Sequence, residues 1–94
     1  HPAANGGAWM AAVLGFAGLY FDGETVHLNP SLPKLWESVE LPVVLRGSNY
    51  KLRITRQEVT IYAAEDNLGT LTFVVSGSSG EACPSGGKLQ IRYS

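Results

Sequence analysis

Val39-Glu-Leu-Pro-Val-Val-Leu45-Arg-Gly-Ser-Asn-Tyr50-Lys-Leu-Arg-Ile-Thr55 alternates between two faces on either side of a short polar break. Side chains in a strand point to opposite faces with a period of two. Val39, Leu41, Val43 and Leu45 therefore share one face of a strand. Tyr50, Leu52 and Ile54 share one face of the next, with Lys51, Arg53 and Thr55 opposite. Gly47-Ser48-Asn49 reads as the turn between them. Pro42 has no N–H to give to a ladder, so its strand belongs at a sheet edge or carries a bulge.

The same period continues downstream. Val59, Ile61 and Ala63 alternate with Thr60, Tyr62 and Ala64; Leu71, Phe73 and Val75 form another face, and Leu89, Ile91 and Tyr93 the last. Between these last two, the Ser- and Gly-rich stretch 76–87 reads as a loop, with Gly80 to Gly87 its least ordered part. Upstream, Leu19-Tyr-Phe21 and Thr25-Val-His-Leu28 flank Asp22-Gly23-Glu24, and Asp-Gly is a hairpin signal. The two prolines of Asn29-Pro-Ser-Leu-Pro-Lys-Leu-Trp36 make that segment an irregular connection, with Leu32, Leu35 and Trp36 as plugs over a core edge. Short strands separated by turn signals predict a mainly β fold, a small antiparallel β-sandwich.

The first twenty residues differ in kind. In HPAANGGAWMAAVLGFAGLY, Trp9, Val13, Phe16 and Tyr20 recur at helical spacing, and so do Met10, Leu14 and Ala17. This predicts one N-terminal apolar α-helix, with Asn5 as its N-cap and Gly18 as its terminator. The run from Gly6 to Phe21 has no charged residue, but it is shorter than the ~20 residues a membrane span needs, and Gly15 and Gly18 loosen it. A helix apolar on every side needs cover on more than one face.

The whole chain has 94 residues, 45% hydrophobic and 16% charged, with a formal net charge of -1. That length supports one core at most, and the apolar content predicts a folded domain rather than a disordered one. Without an excess of basic residues, neither nucleic acid nor a membrane is expected as a partner. One cysteine, Cys83, cannot close an internal disulfide, and with only two histidines no metal site is expected. The chain begins His1-Pro2 and not with Met, so either a segment is cleaved from it or it is a piece of a longer protein.

Three motifs in order carry a family resemblance. They are His1-Pro-Ala-Ala-Asn5-Gly-Gly-Ala-Trp9, Gly15-Phe-Ala-Gly-Leu19, and His27-Leu-Asn-Pro-Ser-Leu-Pro33 followed by Trp36. Together they resemble the C-terminal end of glycoside hydrolase family 65, which includes maltose, trehalose and kojibiose phosphorylases and acid trehalase-like hydrolases. The resemblance covers residues 1 to about 55. It implies a large catalytic (α/α)6 barrel followed by a small β-sandwich. Residues 1–20 would then be the last helix of the barrel, and residues 21–94 the sandwich domain.

The same resemblance bears on chemistry. The family's catalytic acid is a glutamate far upstream, and no position here matches it, so no catalytic residue is assigned. Inverting cleavage of a glycoside needs an acid for the leaving oxygen and a nucleophile on the opposite face. The eight carboxylates here, Asp22, Glu24, Glu37, Glu40, Glu58, Glu65, Asp66 and Glu81, fall in turns or on outward strand positions, where solvation is the ordinary state. His1, Asn5, Gly6 and Gly7 are the phosphate- or substrate-pocket candidates, because free N–H groups at a helix start bind anions. The family often has Ser where this chain has Ala4, which leaves both phosphorolysis and hydrolysis open. No cofactor is expected, apart from inorganic phosphate as co-substrate of a phosphorylase.

The expected function is a non-catalytic C-terminal accessory domain of an enzyme cleaving α-glucosides. Its expected partners are the upstream barrel and a second copy through residues 8–20, and its expected location is the cytoplasm. The alternatives are a carbohydrate-binding module, using Tyr20, Tyr50, Tyr62, Tyr93, Trp9 and Trp36 as a platform, and a self-standing interaction domain. Trp9 and Trp36 sit amid apolar neighbours and read as core packing. His27 reads as a surface or interface residue, and Cys83 as an exposed, unactivated thiol.

Overall fold

A computed structural model describes residues 15–94. A helical turn at residues 15–17 leads into eight strands. They are β1 (Tyr20–Asp22), β2 (Thr25–Leu28), β3 (Ser38–Leu45), β4 (Ser48–Thr55), β5 (Glu58–Ala63), β6 (Leu71–Val75), β7 (Glu81–Cys83) and β8 (Lys88–Arg92). Two four-stranded sheets form, in the orders β1-β2-β6-β7 and β3-β4-β5-β8. The expected helix lies mostly in residues 1–14, outside the described residues.

The alternating faces pack against each other as a sandwich. Val26, Leu28, Leu71, Phe73 and Val75 from one sheet meet Leu41, Val43, Leu45, Tyr50, Leu52, Ile54, Val59, Ile61 and Ile91 from the other in one buried cluster. Across the gap the Tyr50 and Phe73 rings meet edge to face, with centroids 5.3 Å apart. Burying a side chain of this kind contributes roughly 1.5–3 kcal/mol, the main favourable energy a domain this small has. β3 lies at a sheet edge, so Pro42 deprives no interior ladder of a donor.

Strand pairing departs from the sequence reading in several places. β2 and β6 run parallel, pairing Val26 with Phe73 and Leu28 with Val75; the remaining pairs are antiparallel. Alternation reports which face a residue occupies and says nothing about strand direction, so this pair was invisible in the sequence. The β3–β4 turn is Arg46-Gly47, not Gly47-Ser48-Asn49: Leu45 pairs with Ser48, and Ser48 is buried at the start of β4. Arg46 and Gly47 have φ of 53° and 78°. Positive φ at both central positions twists the hairpin in the same sense as its strands, which a turn with negative φ would splay.

The stretch 76–87 is not simply a loop. It holds β7, which pairs with β6. Cys83 is fully buried in the core cluster, not exposed, because it lies opposite Leu71 on the inward face. A thiol behaves there as a small apolar group. The turn after it is tied down by Gly86 N–H to Ala64 O (3.1 Å), Ala63 N–H to Gly87 O (3.0 Å) and the Ser85 hydroxyl to Asn67 O (2.6 Å). Leu35, expected as a plug, is 92% exposed, while Leu32 packs against the core. Trp36 is half-buried, edge-on to Phe16 with centroids 5.3 Å apart.

The two ends of the sandwich have different roles. At the entry end, the carbonyls that a helix leaves unpaired at its C-terminus are capped by the connection after β2. Asn29 N–H donates to Ala17 O (3.0 Å) and Gly18 O (3.3 Å), and Ser31 N–H donates to Phe16 O (2.7 Å). Gly18 has φ of 61°, and a Cβ there would lie 2.5 Å from Asn29 O. Ala17, fully buried, seals the same corner. Arg56, in the β4–β5 turn, donates to Pro33 O (2.6 Å) and Lys34 O (2.5 Å), and the Tyr93 hydroxyl donates to Thr55 O. At the opposite end, the β1–β2 and β3–β4 turns converge with the β5–β6 and β7–β8 connections.

Two buried acids and one partly buried acid couple this packing to pH. Burial pushes the Cys83 thiol and the Tyr50 and Tyr93 phenols up; for Tyr50 the neighbouring Cys83 adds to the rise, and for Tyr93 the nearby Arg56 partly opposes it. Above the ordinary values of 9.0 for the thiol and 10.0 for the phenols, the unfolded chain releases protons that the folded chain keeps. Stability is therefore full below that range and falls as pH rises through it.

Two outcomes are expected. Gly18→Ala loses about 2 kcal/mol in urea unfolding, because it adds a collision with Asn29 to left-handed backbone, whereas Gly23→Ala, at φ of 63° with open space around it, loses only about 1 kcal/mol; equal losses would mean that the close approach is immaterial. Between pH 8 and 10.5, the unfolding free energy falls, and Cys83→Ala flattens the first part of that slope; an unchanged slope in the variant would rule the thiol out as its source.

Candidate functional site

Of the residues singled out in the sequence, His1, Asn5, Gly6, Gly7 and Trp9 lie outside the described residues. The others do not assemble into one site. Seven of the eight carboxylates are exposed and Glu58, the remaining one, is half-buried, accepting a hydrogen bond from Gln90 Nε2 (2.9 Å). Among the described residues no group of three or more His, Cys, Asp and Glu side chains gathers where it could hold a metal ion. His27 lies on the outer face of its sheet, stacked on Tyr20 with centroids 4.7 Å apart and planes at 8°, its Nε2 4.0 Å from the Asp22 carboxylate.

The aromatic platform is also dispersed. Tyr20 is on the outer face of one sheet and Tyr62 on that of the other, with the Lys51 ammonium 4.7 Å above its ring centroid. Tyr50 is in the core, and Tyr93 bonds back to Thr55 at the entry end. Alternation and tertiary packing distribute these tyrosines over separate surfaces, so among the described residues they form no flat row for a sugar chain.

What the fold does build is a cleft at the end away from the chain's entry. It encloses about 700 Å3 and is lined by Glu24 of the β1–β2 turn, Arg46 to Asn49 of the β3–β4 turn, and Asp66 to Leu71 of the β5–β6 connection. Both walls are fixed by side chains acting on backbone. The Asn67 amide clasps Asn49, its Oδ1 accepting from Asn49 N–H and its Nδ2 donating to Asn49 O, both at 2.8 Å. Arg46 Nη2 donates to Gly23 O (2.8 Å), and the guanidinium lies 4.4 Å above the Phe21 ring centroid. The connection is thus rigid, yet it presents Leu68 fully to solvent.

Beside the cleft sits a buried polar group whose partners are weak. Tyr50 is 4% exposed, and its hydroxyl makes no hydrogen bond. The Ser48 hydroxyl and the Leu71 backbone, which both line the cleft, come close enough to oppose part of the rise in its pKa without reaching good hydrogen-bond geometry. A buried hydroxyl left unpaired costs roughly 1–3 kcal/mol, so native folds seldom retain one without a use. The sequence placed Tyr50 on an inward strand face and held no sign of the unpaired hydroxyl; that depends on which loop closes over it.

Comparison with known proteins places the chain. The sequence profile described as glycosyl hydrolase family 65, C-terminal domain, matches residues 19–79. A 1,2-alpha-glucosylglycerol phosphorylase from Bacillus selenitireducens is 32% identical over 77 residues, 82% of this chain and 10% of that protein. A kojibiose phosphorylase from Caldanaerobacter subterraneus subsp. tengcongensis is 39% identical over 62 residues, 65% of this chain and 8% of that protein. A solved structure from the human microbiome, provisionally described as a kojibiose phosphorylase, superposes over 93% of this chain and 12% of its own, with a TM-score of 0.73 at 24% identity, which supports the fold. The chain spans about a tenth of the length of the curated relatives it matches. With β1 to β6 inside the matched region, the chain belongs to glycosyl hydrolase family 65, as its C-terminal domain.

Proposed function

We propose that this chain is the non-catalytic accessory domain of an enzyme that cleaves α-glucosides by phosphorolysis. The observation that carries the reading is the family match over residues 19–79 in a chain that spans only a tenth of its relatives. The choice of phosphorolysis follows those relatives, which are named kojibiose, nigerose, trehalose and glucosylglycerol phosphorylases. In such a reaction an acid protonates the leaving oxygen while phosphate attacks the anomeric carbon from the opposite face. The carboxylates of this chain lie at the surface, each short of the buried setting that raises the pKa of such an acid.

In this reading residues 1–20 are the last helix of the barrel and residues 21–94 the sandwich that follows it. The corner where Asn29 and Ser31 cap the end of the helical turn would transmit that attachment, because it joins helix and sheet through backbone rather than through loose side chains. His1, Asn5, Gly6 and Gly7 would lend N–H groups to the barrel's phosphate pocket. A second copy, joined through residues 8–20, would cover apolar surface of that segment that the barrel leaves open. The cytoplasm is the proposed location; no helix among the described residues is long and apolar enough to cross a membrane. The dispersed aromatic rings speak against a carbohydrate-binding module of the flat-platform kind.

The full-length protein, given phosphate, should release a glucose phosphate from kojibiose, nigerose or trehalose, and the 94-residue chain should not. Removing residues 21–94 from the full-length protein should lower its melting temperature and its yield of active enzyme together. Turnover by the short chain, or a truncated enzyme of unchanged stability and activity, would defeat the proposal.

A further inference from the structure

We infer that the cleft at the turn end of the sandwich is a binding site for a small neutral sugar, of monosaccharide to disaccharide size. Its volume of about 700 Å3 lies within the range of small-molecule sites, about 300–1,000 Å3. Its polar groups are mixed in a way that suits hydroxyls. Glu24 and Asp66 offer carboxylate acceptors, Arg46 keeps guanidinium donors beyond the one given to Gly23 O, and the Thr70 and Ser48 hydroxyls can donate or accept. Leu68 supplies an apolar edge, suited to the C–H face of a pyranose.

A sugar hydroxyl carries both a donor and an acceptor, and so can meet a carboxylate and a guanidinium in the same cleft. An anion such as phosphate would face Glu24 and Asp66 across the cleft. A metal ion would lack a third ligand of its usual kind among the described residues. The frame is also set before any ligand arrives. Asn67 holds Asn49 from one wall, Ser85 holds Asn67 from below, and Arg46 is fixed to Gly23 from the other wall. Preorganisation of this kind reduces the ordering that a ligand would otherwise impose.

The unpaired Tyr50 hydroxyl is the independent sign. It is buried beside Ser48 and Leu71, two residues of the cleft lining, which reach it only as weak contacts short of good hydrogen-bond geometry. A hydroxyl entering between those two residues gives it a partner, directly or through one ordered water. The described chain enters at the end of the sandwich away from the cleft, through residues 15–18 and the Asn29–Ser31 cap. The site is separate from the accessory role proposed above: either can hold while the other fails, since the activity of the full-length protein does not depend on sugar binding here.

The test is an amide NMR titration of the 94-residue chain with glucose, maltose and kojibiose, once a dispersed spectrum has shown it to be folded. Shifts should concentrate at Glu24, Arg46 to Asn49 and Asp66 to Leu71, with a dissociation constant in the millimolar range, about -4 kcal/mol, as befits a site without a stacking ring. Glu24→Gln and Asp66→Asn should each weaken binding about tenfold, the loss of one charged hydrogen bond. Tyr50→Phe separates a ligand role from a structural one. It should weaken binding while leaving the melting temperature unchanged or higher, because it deletes an unsatisfied group. The inference fails if the sugars shift no cleft amide, or if magnesium or phosphate shifts them instead. It also fails if Tyr50→Phe lowers the melting temperature and leaves sugar binding intact, the result expected of a structural water at that hydroxyl.

Discussion

The corner at which Asn29 and Ser31 cap the carbonyls of residues 16–18 is the constraint on which the rest of this domain rests. A helix that ends against a sheet must dispose of its last carbonyls, and burying them unpaired would cost more than most side chains contribute. Here the next segment of backbone supplies the donors, at a distance only a glycine at position 18 allows. That close approach fixes where β1 begins and where β2 ends. It thereby sets the register of the β1–β2 hairpin and, through β2, of the parallel partner β6. Two of the motifs that carry the family resemblance are the two sides of this contact. Their shared feature is backbone geometry, not chemistry toward a substrate.

The opposite end follows from topology. β2 and β6 both run away from it, and the β5–β6 connection has to cross from one sheet to the other over the top of the core. A crossing loop leaves space beneath it unless its own side chains fill that space. Leu68 points outward and Asn67 is turned onto Asn49, so the space remains a cleft. One buried phenol, Tyr50, lies beside two residues of that opening with only weak contacts, whereas backbone and side-chain hydrogen bonds tie the entry end together.

Family membership and the surface carboxylates agree on a division of labour. In the proposed reading, the chemistry of α-glucoside cleavage would belong to the part of the enzyme upstream of this domain. The sandwich would offer that part an attachment at its entry end and a second surface at the other. The sheet formed by β3, β4, β5 and β8 carries Lys51, Arg53, Lys88 and Arg92 outward, while most carboxylates lie elsewhere, so the domain is electrically lopsided although its net charge is near zero. Such a distribution orients a domain against its neighbours more than it contributes to its own stability.

Period-two alternation was enough to place the five longer strands, their inward faces and the edge position of Pro42, because burial of one face is a local property of a strand. The end of the helical turn at Gly18 and the hairpin around Gly23 were legible for a similar reason: a left-handed residue leaves its mark in the glycine itself. Strand direction, the one-residue displacement of the Arg46-Gly47 turn and the strand hidden at Glu81–Cys83 were not legible. Each depends on a partner distant in sequence: β6 for β2, Ser48 facing Leu45, and Leu71 opposite Cys83. The candidate cleft was less legible still. Its residues come from three connections, and its most telling group, the Tyr50 hydroxyl, looks in sequence like any inward-facing tyrosine. Local pattern determined which residues this protein buries; only the packing of distant segments decided which of the buried groups would be left without a partner.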